Sequence, residues 1–148
     1  MNEKALLQHI INGLSNDINI TYDVKESKLN LINYKPINNE ILVKSLGDNP
    51  VEYIDRGGFV DKLTLGNFVI QQYKFRLLLI SKKLESQSEL LEITSIVENA
   101  MLELDNLTNE DEGKFILISK GEPSFEENKN FYFRELIFIK LVYKYIGT

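Results

Sequence analysis

Cysteine and tryptophan are absent from this chain, and histidine occurs once, at His9. Without cysteine there is no disulfide, no thiolate nucleophile and no zinc site that needs sulfur. Such a composition suits a reducing compartment. Basic residues are in the minority: 17 lysines and arginines face 22 aspartates and glutamates, a formal charge of −5. A nucleic-acid binder draws most of its affinity from a basic face that neutralises phosphates. Here the basic residues are scattered and outnumbered, so sequence-specific nucleic-acid binding is not expected. No apolar run approaches the ~20 residues needed to cross a bilayer. The start, Met1-Asn2-Glu3-Lys4, lacks the basic stretch, apolar core and cleavage site of a signal peptide. These absences predict a soluble intracellular protein with no membrane partner.

What is present suits a folded domain. The 148 residues are 43% hydrophobic and 26% charged, and residues 1–148 are expected to form one domain. Leu6, Leu7, Ile10, Ile11 and Leu14 recur at three- and four-residue spacing, the mark of a short amphipathic helix. Gly13, Ser15, Asn16 and Asp17 then supply stop signals. From Ile18 to Ile54 the period shortens. Ile18, Ile20 and Tyr22 alternate with polar residues, Leu29 and Leu31 form a second short run, and Glu40 to Lys44 and Val51 to Ile54 are further candidate strands. Gly47-Asp48-Asn49-Pro50 reads as a turn between the last two.

The second half is clearer. Phe68 to Lys82 is a strand with Tyr73, Phe75, Leu77 and Leu79 on one side. Its other side is polar at Gln72, Lys74 and Arg76 and turns apolar at Leu78 and Ile80, so one end is expected to be buried on both faces. Ser86 and Glu89 suggest a capping box. The helix behind it carries a stripe of Leu90, Ile93, Val97, Ala100, Met101 and Leu104. A polar acidic loop, Asp105 to Gly113, ends that helix. A short strand follows at Phe115 to Ile118, then the break Gly121-Glu122-Pro123-Ser124, then a long final strand from Phe131 to Ile146. In that strand Ile137, Ile139, Leu141, Tyr143 and Tyr145 are assigned to one face, with Arg134, Lys140 and Lys144 on the other. Its length suggests a projecting edge that offers its backbone to a neighbour. The order of elements predicts an α+β fold, a mostly antiparallel sheet with helices packed on one face.

Catalytic constellations are not visible. His9 lies beside the apolar stripe of the first helix, where a packed or part-exposed structural histidine is the simpler reading. Glu110-Asp111-Glu112-Gly113 lacks the alternating ligands and twelfth-position glutamate of an EF-hand. Glu126-Glu127 would point to opposite faces of a strand. Neither G-x-x-x-x-G-K nor G-x-G-x-x-G occurs, and Gly57-Gly58 alone is too small a signal. No cofactor and no metal is expected. The late aromatics suit a core or a subunit interface, with Tyr132, Phe133, Phe138, Tyr143 and Tyr145 the candidate interface residues. Glu110, Asp111 and Glu112 are candidates for a loop facing a partner or a lumen.

The region from Gly66 to Tyr145 resembles the small tail-terminator proteins, also called minor capsid proteins, of phages and prophages of Gram-positive bacteria. The likeness is carried by Phe75-Arg76-Leu77-Leu78-Leu79, the helix from Leu90-Leu91 to Leu104, Gly121-x-Pro123 with Phe125, and the long aromatic strand. Gly58 and Asp61 are compatible with the same pattern. The resemblance implies a sheet with helices on one side and a ring, typically a hexamer. Such a ring caps the tail tube, stops its polymerisation and meets the head-completion proteins. In headless contractile particles, the tail-like bacteriocins, the similar subunit is a collar that closes the top of tube and sheath. The family has no catalytic residues to carry over. The resemblance further implies assembly in the bacterial cytoplasm and then residence in a virion or tail-like particle. Two rivals stand beside this reading. One is a monomeric assembly chaperone or head–tail interaction module, and the other an enzyme using carboxylates such as Asp55 or Asp61.

Overall fold

A computed structural model describes residues 2–55, 67–82, 87–105, 112–127 and 130–147. The expected capping box at Ser86, the pair Gly57-Gly58, Asp61, Glu110 and Asp111 lie outside the described residues, as do the side chains of Asp55 and Glu112. Helix α1 spans Glu3–Ser15 and α2 Gln87–Asp105; the strands are β1 Asp23–Glu26, β2 Glu40–Asp55, β3 Asn67–Ser81, β4 Glu112–Lys120, β5 Ser124–Glu126 and β6 Phe131–Gly147. They form one six-stranded sheet in the order β1-β2-β3-β6-β4, with β5 also paired to β6. Every pairing except β1 with β2 is antiparallel. The fold is α+β, as its sequence pattern predicts.

Both helices lie on one face of this sheet because their apolar stripes have nowhere else to go. Leu6, Ile10 and Leu14 of α1 and Leu90, Val97 and Met101 of α2 join Tyr73, Phe75, Leu77 and Leu79 of β3 in a single core. Asn2 opens α1 by accepting a hydrogen bond from the Ala5 N–H at 2.8 Å, a cap that satisfies one free helix donor. The two helices meet at Gly13. A Cβ built there would stand 2.0 Å from Leu104 Cδ2. Replacing Gly13 with valine is therefore expected to cost about 1–3 kcal/mol by overpacking, more than the small gain in helix propensity returns. Urea unfolding checks this, and an unchanged midpoint would refute the close approach.

Among the described residues the opposite face is covered at one end. Leu42, Ile80 and Phe131 form a second small core, on which Leu31, Tyr34, Leu78 and Phe133 pack. The covering piece is the connection from β1 to its parallel partner β2, residues 27–39. The expectation that β3 is buried on both faces at its end is met here, by Leu77, Leu79 and Ile80.

Several sequence expectations are corrected. Ile18 to Tyr22 is not a strand: the Asp17 carboxylate accepts from Asn19 N–H at 2.8 Å and its carbonyl from Ile20 N–H at 3.1 Å. This local turn bonding competes with a ladder, and it turns Ile18 out to 93% exposure while Ile20 enters the core. Leu29 and Leu31 likewise lie in a loop, where the Asn30 side chain accepts from Ile32 N–H at 2.9 Å. Gly47-Asp48-Asn49-Pro50 is not a turn between two strands. It lies within the continuous β2, whose register shifts at Ser45/Gly47 and again at Pro50/Glu52. Gly47 takes φ 104°, open to glycine and strained for other residues. Bulges absorb the irregular residues. Proline is tolerated because β1 reaches only Val43, which leaves this part of β2 as a sheet edge.

The largest correction concerns β6. It is not a projecting edge but an interior strand, paired with β3 along one side and with β4 and β5 along the other. The division of its residues between two faces holds, and the face carrying Arg134 and Lys140 is the buried one. Arg134, Leu136, Phe138, Lys140 and Val142 are buried beneath the helices, whereas Ile137, Ile139 and Leu141 are half-buried on the outer face. Arg134 satisfies its guanidinium on the Gly121 carbonyl at 2.8 Å and Thr94 Oγ1 at 3.3 Å. The Lys140 ammonium lies 4.6 Å from the Phe115 ring centroid.

Candidate functional site

The aromatic residues expected at an interface do not share one surface. Phe138 is 3% exposed and belongs to the main core. Tyr132 is half-buried on the helix side, its ring 4.7 Å from that of Phe125. Phe133 packs on the small core of the opposite face and meets Phe131 edge-on at 5.9 Å. Tyr143 and Tyr145 pair in register with Ile70 and Phe68, and their side chains are outside the described residues. His9 is half-buried, and among the described residues its Nε2 has no hydrogen-bond partner and so no nucleophile paired to it. Among the described residues no group of three or more His, Asp or Glu side chains could hold a metal.

The candidate surfaces among the described residues are the two edges of the sheet. On the β1 side, the connection folded over the outer face creates an open groove of about 500 Å³, lined by Lys25, Glu26, Lys28, Asn30, Asn33, Tyr34, Lys35, Ile37 and Leu42. Its floor is anchored by Glu40, which is 0% exposed. The Glu40 carboxylate pairs with the Lys25 ammonium and accepts the Tyr34 hydroxyl at 2.5 Å. That pair fixes the groove because the two partners come from opposite ends of the connection. The Lys25 and Lys28 ammoniums both approach the Tyr34 ring, at 5.9 and 5.7 Å from its centroid, within cation–π range. Among the described residues no carboxylate pairs with Lys28 or Lys35. The Asn30 oxygen is used by the backbone of Ile32, which leaves its amide N–H groups as donors. In a chain of net charge −5 this lining is rich in cations and donors, with Glu26 its one carboxylate.

The pairing leaves a mark on titration. The hydrogen bond to Glu40 raises the Lys25 pKa above its ordinary 10.5, with burial opposing. Burial, followed by the Glu40 hydrogen bond, raises Tyr34 above 10.0. Both groups hold their protons more tightly folded than unfolded, so this stability is complete below about pH 10 and is lost as pH rises through the folded values. The urea midpoint is expected to hold level up to about pH 10 and to fall as pH rises beyond it, and to fall less after Tyr34→Phe. A midpoint that stays level there too would contradict the coupling.

The other edge, formed by β4 and β5, is acidic and apolar. Glu122 and Glu127 are exposed, Glu126 is half-buried, and Phe125 stands between them, itself exposed. Lys120 is already paired with Glu98 at 2.7 Å. Along β4, Ile116 and Ile118 are 48% and 47% exposed. The groove edge has matching apolar side chains in Leu29, Ile32 and Ile37, all exposed. The register places the edges on one level. Asp23 pairs with Glu40, Glu40 with Ile80, Ile80 with Phe133 and Phe133 with Ser124, a straight row across the sheet from β1 to β5. Glu126 pairs with Phe131, which packs with Leu42, so Glu126 shares the groove's face of the sheet. Sequence reasoning missed both edges. The signal was there in Lys25, Lys28, Tyr34 and Lys35 within a chain short of basic residues.

No family model matches the chain, and no curated protein matches it. Among solved structures, a chain from the virion of a native gene transfer agent (GTA) particle shares the fold. The superposition has a TM-score of 0.56 at 12% identity and covers 94% of this chain and 95% of that one.

Proposed function

We propose that this chain is a non-enzymatic structural subunit of a phage-like particle, and within it a tail terminator or collar that closes as a ring on the end of the tail tube. The observation that carries this reading is the fold shared with a GTA virion chain over nearly the full length of both. The tail-terminator resemblance from Gly66 to Tyr145 supports the finer role and its hexameric stoichiometry. The two unlike sheet edges support the ring. A contact between different surfaces of identical subunits generates a closed ring whenever the rotation closes. Its partners are then further copies of itself, the tube and, in a contractile particle, the sheath, with a head-completion protein above where a head exists. Assembly takes place in the bacterial cytoplasm, and the acidic run Glu110-Asp111-Glu112 faces the lumen or a partner.

Sedimentation with and without purified tail tubes tests the proposal. The expected result is a closed oligomer, or a monomer that becomes one on tube ends. A chain that stays monomeric in both cases and is missing from finished particles is an assembly chaperone instead.

A further inference from the structure

The groove and the acidic edge are complementary in three respects. Lys28 and Lys35 have no carboxylate among the described residues, while Glu122, Glu126 and Glu127 lie on the far edge. Both edges carry exposed apolar side chains, Leu29, Ile32 and Ile37 on one and Ile116 and Ile118 on the other. They also sit at the two ends of one transverse row, and Glu126 lies on the same face of the sheet as the groove. Held near one tyrosine ring, the Lys25 and Lys28 ammoniums repel each other, and Glu40 offsets only one of them. A second anion from outside relieves the other.

We infer that the Lys25–Lys28–Lys35 groove of one copy receives the Glu122–Glu127 edge of the next, so that the sheets repeat head to tail around the ring. The occupant is a second copy of this chain, on the ground of charge and apolar complementarity between edges that the register sets on one level. The inference rests on the ring reading and specifies its contact. Charges at a rim of this kind select partner and register more than they add affinity.

The test is a pair of charge reversals in the full chain. Lys28→Glu with Lys35→Glu, or Glu126→Lys with Glu127→Lys, is expected to raise the concentration needed for self-association by about tenfold or more, with thermal unfolding of each variant confirming the fold. Mixed in equal amounts, the two variants alternate around an even-membered ring and regain wild-type assembly. Reversed variants that assemble alone like the wild type overturn the contact and leave the ring reading standing; the groove then serves some other anion. Failure of the mixture to recover shows that the two edges do not meet, which overturns it as well. A wild-type chain that never oligomerises, with or without tubes, removes this inference together with the ring.

Discussion

Replacing Lys25 with methionine is expected to destabilise the fold by about 3–5 kcal/mol, whereas replacing its partner, Glu40→Gln, is expected to cost only about 1 kcal/mol. The difference follows from where each charge sits. Glu40 is 0% exposed and Lys25 is 41% exposed. Without Lys25 a carboxylate remains in the interior with the Tyr34 hydroxyl as its side-chain partner, and an uncompensated buried charge is among the most costly defects a fold can carry. Without the Glu40 charge, Lys25 returns to water, and glutamine still accepts the tyrosine hydroxyl. Urea denaturation of both variants near neutral pH measures the ordering. Equal losses, or a larger loss for Glu40→Gln, would contradict the burial that the groove is built on.

The second large effect concerns assembly. If the proposed ring forms, Ile116→Lys with Ile118→Lys is expected to abolish the self-association, while stability changes by no more than about 1 kcal/mol. Both side chains are roughly half exposed on an edge strand. Lysine on an edge is a common means of blocking strand-to-strand association. Sedimentation gives the first readout and thermal unfolding the second. Association that survives, in a variant that stays folded, would exclude the β4 edge from the subunit contact.

The sequence made the framework legible where periodicity was long. The stripe from Leu90 to Leu104 and the alternation from Tyr73 to Leu79 each span enough residues for one face to be identified, and both lie in the core. Short runs failed because local bonding outweighed pattern, as the Asp17 turn did at Ile18 to Tyr22. Gly47 and Pro50 are ordinary turn signals, and their use as bulges depends on β1 ending opposite Val43. The role of β6 was hidden for a related reason. Alternation says which residues share a face, but not how many neighbours a strand has, and β6 has neighbours on both sides. The candidate interface suffered most. Phe138 was a candidate interface residue and lies in the core, on a face that also buries Arg134 and Lys140. The lysines of the groove are brought together by a loop that crosses the sheet, and no periodicity encodes such a crossing.

Electron microscopy of the assembled particle, with this chain located by a fused tag, tests the central claim most directly. The result expected from the proposed function is a single ring of this protein at the head-proximal end of the tail tube, with β4 and β5 of each subunit against β1 of the next. Density elsewhere in the particle, or none at all, would contradict it.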